Sequence, residues 1–67
     1  YFKYEDLITF DEAITTAKSE VNGKATEIST DFDDGVLYYE VSIQNQNGED
    51  VDVIIDAKSG ETVEIDE

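Results

Sequence analysis

The stretch VDVIIDAKSGETV, at positions 51–63, decides the fold. Its apolar residues recur at every second position from Val51 to Ala57, which is the period of a β-strand with one buried face. Asp52 and Asp56 fall between them, so the opposite face of this strand is acidic. Lys58-Ser59-Gly60 then has the composition of a tight turn, and the residues after it begin a return strand.

Three further segments share this period of two and predict a β-meander. Their inward positions are Ile28, Thr30 and Phe32, then Leu37, Tyr39, Val41 and Ile43, and finally Val63 and Ile65. A slip of one residue would move a strand's whole apolar set to solvent, so this pattern also fixes the turns. It predicts a two-residue type I′ turn at Asp34-Gly35 and a three-residue turn at Gln46-Asn47-Gly48 with Gly48 left-handed. A three-residue turn at Lys58-Ser59-Gly60 would pair Ile55 with Val63 and Val53 with Ile65.

The segment before the first strand predicts a helix over residues 10–21. Thr9 and Glu12 form a capping box at its start. Apolar residues then recur at helical spacing, at Phe10, Ala13, Ile14, Ala17 and Val21. We expect Gly23 to end the helix in the left-handed conformation. The sequence therefore predicts an α+β fold, with one N-terminal α-helix packed on one face of a four-stranded antiparallel β-meander.

The composition narrows the classes of function. The 67 residues include 18 Asp and Glu against four Lys and Arg, for a net charge of −14. This charge argues against nucleic acid or an anionic membrane as partner and favours a partner with a basic surface, or cations. No apolar run approaches the ~20 residues that span a bilayer, so we expect no membrane insertion by this segment. The chain has no His and no Cys, which excludes thiolate chemistry and ordinary zinc sites.

Two acidic groups could be read as binding sites, but the first is better explained by turn structure and the second does not fit the spacing of a calcium loop. Asp56 is expected to accept hydrogen bonds from backbone N–H groups of the turn that follows it. The acidic segment 31–34 precedes Gly35, yet an EF-hand needs its glycine at position six and Gly35 falls at position five. We expect no cofactor, no metal and no catalytic residue. An acidic module that responds to cations such as calcium, or a structural spacer within a longer chain, remains the alternative to a protein-binding domain.

The outward face of the predicted sheet is the candidate surface for a partner. Carboxylates cover most of it, and Asp52 is predicted opposite Asp66, where like charges repel. Tyr38 and Ile54 are apolar positions within this acidic surface. The candidate contact residues are Tyr38, Glu40, Asp52, Ile54, Asp56 and Glu64.

The order of these signals resembles the PepSY domain, a small α+β module of bacterial metalloprotease propeptides, spore-germination proteins and cell-envelope proteins. The resemblance rests on Ile8-Thr9-Phe10-Asp11-Glu12-Ala13, Ala17, Gly23, Gly35, Tyr38-Tyr39-Glu40-Val41, Gly48 and Val53-Ile54-Ile55-Asp56-Ala57-Lys58-Ser59-Gly60-Glu61-Thr62-Val63. It implies a linker or terminal extension at residues 1–8 and a PepSY-like domain at residues 9–67. It also implies a non-catalytic interaction domain, extracellular or in the cell envelope of a bacterium, that regulates or inhibits a peptidase or binds another envelope protein. The strong acidity departs from the family pattern and leaves the partner open.

Overall fold

The computed structural model describes residues 6–67, so residues 1–5 lie outside the description that follows. The described residues form one α-helix followed by four antiparallel strands, which lie side by side in the order of the sequence. The elements are α1 (Phe10–Glu20), β1 (Gly23–Asp33), β2 (Val36–Asn45), β3 (Asp50–Asp56) and β4 (Thr62–Asp66). The predicted fold class is confirmed, because a single helix packs on one face of a four-stranded meander.

Helix α1 begins at the predicted capping box. The backbone N–H of Glu12 donates to Oγ1 of Thr9 at 3.1 Å, and the N–H of Thr9 donates to Oε1 of Glu12 at 2.8 Å. These bonds satisfy N–H groups that have no partner within the helix. Ala13 and Ala17, one turn apart, are fully buried, and their small side chains let the helix backbone lie close to the sheet.

The core lies between α1 and the inner face of the two central strands, β2 and β3. Alternate residues of both strands are buried: Tyr39, Val41, Ile43, Val51, Val53 and Ile55. Val41 lies opposite Val53, as the alternation predicted. The helix lies over β1, β2 and β3. The predicted inward set of the central strands is therefore confirmed.

Two of the three predicted turns are confirmed. Asp34 and Gly35 have φ values of 51° and 80°, as a type I′ turn requires. Gly48 has a φ of 81° and ends a three-residue turn that is closed by the N–H of Asn45 donating to the carbonyl of Glu49 at 2.9 Å. The strand pairings that these turns were predicted to set are present.

The predicted pairing of β3 with β4 is wrong at its first position. Ile55 lies opposite Thr62 instead of Val63, and Val63 is an extra residue in a β-bulge. Beyond the bulge, Val53 lies opposite Ile65 as predicted. The observed turn is one residue longer than predicted, which shifts the pairing by one residue. The extra residue in the bulge shifts it back, so the register beyond Val63 is the predicted one.

The turn after Asp56 takes four residues, which explains the shift. The backbone N–H of Asp56 donates to the carbonyl of Glu61 at 2.9 Å, and the N–H of Gly60 donates to the carbonyl of Asp56 at 2.8 Å. Oδ1 of Asp56 also accepts from the N–H groups of Lys58 at 2.8 Å and Ser59 at 3.1 Å. The predicted structural role of Asp56 in shaping this turn is confirmed.

The prediction that Gly23 ends the helix in a left-handed conformation is wrong. The helix is capped by Val21, whose backbone is extended and whose N–H donates to the carbonyl of Ala17 at 2.9 Å. Gly23 is the first residue of β1, and a Cβ atom built there would collide with the carbonyl oxygen of Gln44. Gly23 is therefore needed for the close contact between β1 and β2.

A second bulge, which the sequence analysis did not predict, lies in β1. The pairing with β2 shifts by one residue between Ala25 and Glu27, so Thr26 is the extra residue. Ala25 and Ile28 consequently both pack against the core although they are three positions apart. Without the bulge, alternation would place these two side chains on opposite faces.

The segment that leads into α1 is bonded to the sheet. The N–H of Ile8 donates to the carbonyl of Ala57 at 2.8 Å, and the hydroxyl of Tyr39 donates to the carbonyl of Ile8 at 2.9 Å. Leu7 and Ile8 pack against the core. The remainder of the predicted linker segment, Tyr1–Glu5, lies outside the described residues.

Gly23→Asn is expected to lower the free energy of unfolding by about 2 kcal/mol or more, because the new Cβ collides with the backbone of β2. Gly48→Asn is the matched control, since asparagine tolerates a positive φ and a Cβ at Gly48 meets nothing within 4 Å. We expect this control to cost less than about 1 kcal/mol. Urea unfolding followed by circular dichroism measures both changes, and equal costs would contradict the close-contact explanation.

Asp56→Ala is expected to lower the free energy of unfolding by about 1–2 kcal/mol, because two turn N–H groups lose their acceptor. Asp56→Asn keeps an acceptor oxygen in the same place and should lose much less. The same unfolding measurement compares the two variants. If both lose the same amount, the charge of Asp56, and not its hydrogen bonds, stabilises the turn.

Candidate functional site

The face of the sheet away from α1 carries the predicted contact residues. On β2 and β3 they alternate with the buried residues, which places them together on the outer surface. Glu40 lies opposite Ile54, and Ile54 lies opposite Glu64, so these three form one row across three strands. Tyr38 lies opposite Asp56 in the neighbouring row. We call this surface the outer face, and it comprises Tyr38, Glu40, Asp52, Ile54, Asp56 and Glu64.

One row of the outer face places two carboxylates on neighbouring strands. Asp52 lies opposite Asp66, as predicted. On its other side, Ser42 donates its hydroxyl to Oδ1 of Asp52 at 2.8 Å. The hydrogen bond from Ser42 orients the carboxylate of Asp52, but it does not neutralise the charge of Asp52 or of Asp66. Like charges opposite one another destabilise a sheet, so a cation or a basic side chain placed here would relieve repulsion.

The acidic groups of the outer face do not assemble into a cation site. Among residues 6–67, no three acidic side chains are placed so that they could hold one metal ion. Asp56 already accepts two N–H groups of its own turn. The acidic segment 31–34 is exposed at the end of the β1–β2 hairpin. The geometry therefore gives no support to a calcium loop in either place.

The structure exposes an apolar strip that the sequence analysis did not identify. Val63 and Ile65 of β4 are 52% and 43% exposed. Both were predicted to belong to the inner face, and Ile65 does lie opposite the buried Val53. They stay exposed because β4 is an edge strand, while α1 packs over β1, β2 and β3. Strand alternation predicts which face a residue of β4 lies on. It does not predict whether the helix extends far enough to cover that residue.

Among residues 6–67, the two other large apolar side chains that are about half exposed are Phe10, on α1, and Phe32, near the end of β1. Phe10 lies edge-to-face against the buried Tyr39, with ring centroids 5.2 Å apart and planes at 84°. This is a favourable geometry for an aromatic pair. Phe10 therefore covers one end of the core while half of its surface faces solvent.

The described residues contain no membrane-spanning helix and no buried polar side-chain atom without a hydrogen-bond partner. α1 is too short and too polar to cross a bilayer, and it is the only helix between residues 6 and 67. In the same part of the chain, every buried side-chain nitrogen or oxygen atom has a hydrogen-bond partner.

Two solved structures share this fold, and a further protein shares part of this sequence. The chain is 39% identical over 62 residues to the uncharacterized protein YkoJ of Bacillus subtilis (strain 168). A candidate lipoprotein from Clostridium difficile 630 has a structure that is similar to this one at a TM-score of 0.85 and 28% identity. YpmB from Bacillus subtilis is similar in fold at a TM-score of 0.83 and 23% identity.

These matches include nearly all of this chain but only part of each relative. They cover 90% of this chain for YkoJ, 97% for the Clostridium protein and 96% for YpmB. Measured against the length of each relative, the chain spans 36% of YkoJ, 42% of the Clostridium protein and 51% of YpmB. The profile of the PepSY family, described as peptidase propeptide and YPEB domain, matches residues 7–66. With the predicted motifs in place on the predicted fold, the chain belongs to the PepSY family.

Proposed function

We propose that this chain is a non-catalytic protein-binding domain that restrains a peptidase, or docks another protein, in the cell envelope or outside a bacterial cell. The main support for the proposal is the match to the PepSY profile over residues 7–66. The description of that family names peptidase propeptides. The similarity to a candidate lipoprotein supports the envelope as its location.

The outer face suits a protein surface better than a small substrate. It is the open side of a sheet, and its residues are held in fixed register by the central strands β2 and β3. Ile54 and Tyr38 are partly buried and lie among carboxylates. An apolar centre within a polar rim is the usual arrangement of a protein–protein interface.

The charge of the domain supports a basic partner surface. The net charge of −14 attracts a basic protein at long range and speeds the encounter. At contact, a lysine or arginine near Asp52 and Asp66 would also relieve their mutual repulsion. Both effects weaken as salt screens the charges, so binding through this face should depend on ionic strength.

Ile54→Lys is expected to weaken binding to the partner by roughly tenfold or more, because it removes the apolar centre of the outer face and repels a basic partner. Thr15→Lys is the matched control, since it adds the same charge at an exposed position of α1 and should leave affinity unchanged. The measurement is inhibition of a bacterial peptidase whose propeptide contains a PepSY domain, together with capture of that peptidase on immobilised domain. Melting temperatures confirm that both variants fold.

The proposal fails if the purified domain neither slows that peptidase nor captures any envelope protein. It also fails in its choice of surface if Thr15→Lys weakens binding as much as Ile54→Lys. The second result would assign the effect to overall charge and not to the outer face.

Calcium is expected to raise the melting temperature no more than sodium chloride of matched ionic strength, because no described cluster of carboxylates can hold the ion. Both salts should stabilise the domain by screening Asp52 and Asp66. Asp66→Asn should reduce this salt dependence, since it removes one of the two facing charges. An additional shift that only calcium produces would support the alternative of a cation-responsive module.

A further inference from the structure

Among the described residues, strand β4 is an edge strand of the sheet. It pairs with β3 on one side, and no strand of residues 6–67 lies along its other side. The backbone N–H and C=O groups on such an edge can pair with another extended chain. Partner proteins use this property when they add a strand to an existing sheet.

The side chains of β4 alternate in chemistry as well as in direction. Ile65 lies opposite the buried Val53, on the helix side of the sheet, while Glu64 lies opposite Ile54, on the outer face. The two apolar residues of the strand are about half exposed, and its carboxylates are exposed. Beyond the bulge at Val63, the edge therefore presents Ile65 on the helix side and Glu64 and Asp66 on the outer face, with the exposed Val63 directly before them.

We propose that the β4 edge binds an extended segment of a partner protein in which basic and apolar residues alternate, and adds it to the sheet as a fifth strand. The period of two would place an apolar side chain of this segment beside Ile65, with the next one close to the bulge at Val63. Its lysine or arginine side chains would lie beside Glu64 and Asp66. This assignment goes beyond the proposed function, because it names a second surface and the chemistry of the segment that fits it.

Charge selects a basic segment over a second copy of this chain. Antiparallel pairing of β4 with another β4 would bring Glu64 and Asp66 close to the same carboxylates of the second copy. Each copy also carries a net charge of −14. Acidic side chains on an edge strand oppose such self-association. The same side chains attract a basic strand, and a cation near Asp66 would also relieve its repulsion with Asp52.

The other edge of the sheet, β1, lacks the matching apolar strip. On its helix side, Ile28 is partly buried against the core and Thr30 is polar. β1 exposes one large apolar side chain, Phe32, next to the hairpin turn. An alternating apolar and basic strand would therefore find apolar neighbours along β4 but not along β1.

The test uses the whole 67-residue chain and a synthetic heptapeptide that alternates lysine with valine. A peptide of the same composition, with its lysines grouped at one end, is the control for charge attraction alone. NMR titration of the backbone amides gives affinity and location. We expect the alternating peptide to bind about tenfold more tightly than the grouped peptide, with shifts concentrated on β4, since only the alternating order matches both sides of β4.

Glu64→Lys is expected to weaken binding of the alternating peptide by roughly tenfold, because it replaces an attraction with a repulsion. Glu27→Lys is the matched control, since Glu27 is an exposed glutamate on the outer face of the opposite edge strand, and it should change affinity less than about twofold. Ile65→Thr keeps a β-branched side chain but removes its apolar end, so it should weaken binding while the fold is retained. Melting temperatures check the fold of each variant.

The proposal is overturned if the alternating peptide does not bind, or if the grouped peptide binds equally well. It is also overturned if Glu27→Lys weakens binding as much as Glu64→Lys, or if the shifts lie on β1. Sedimentation that shows a dimer formed through β4 would assign the edge to a second copy instead. If the peptide result fails while Ile54→Lys still abolishes peptidase capture, the edge proposal fails and the proposed function stands.

Discussion

The alternation of buried and outward residues in β3 is the constraint on which the rest of the structure depends. Val51, Val53 and Ile55 are buried, and Val53 and Ile55 lie between paired residues of β2 and β4 in the core that includes the helix. A slip of one residue would bring Asp52 and Asp56 into that position, where unpaired charges are costly. The turns and bulges on either side of β3 therefore have one requirement in common, which is to keep this register.

That requirement explains which parts of the fold could be predicted from the sequence. The Asp34-Gly35 and Gly48 turns were predicted correctly because strand parity and the need for a positive φ left one solution each. The third turn was not, because a four-residue loop followed by a bulge at Val63 satisfies the same parity. Gly23 was misassigned since its close neighbour, the carbonyl of Gln44, is distant in sequence.

The candidate surfaces also divide into one that the local sequence pattern predicts and one that depends on contacts between distant residues. Strand alternation placed the outer face correctly, because it depends only on which residues of β2 and β3 point inward. The exposure of Ile65 depends on where the helix lies, and the helix is positioned by contacts between distant parts of the chain. Ile8 is bonded to Ala57 and to Tyr39, and Ala17 lies fully buried against the sheet. No local pattern in β4 carries that information.

The acidity of the chain connects its stability to its interactions. A domain of this size buries a small core, so it is only marginally stable alone, and repulsion such as that between Asp52 and Asp66 lowers the margin further. The same carboxylates would oppose pairing of the β4 edge with a second copy of the chain. The proposed basic partner would remove the repulsion and cover the edge, and any ligand that binds only the folded state stabilises it by linkage. The charges that weaken the isolated domain would therefore contribute to its stability in the proposed complex.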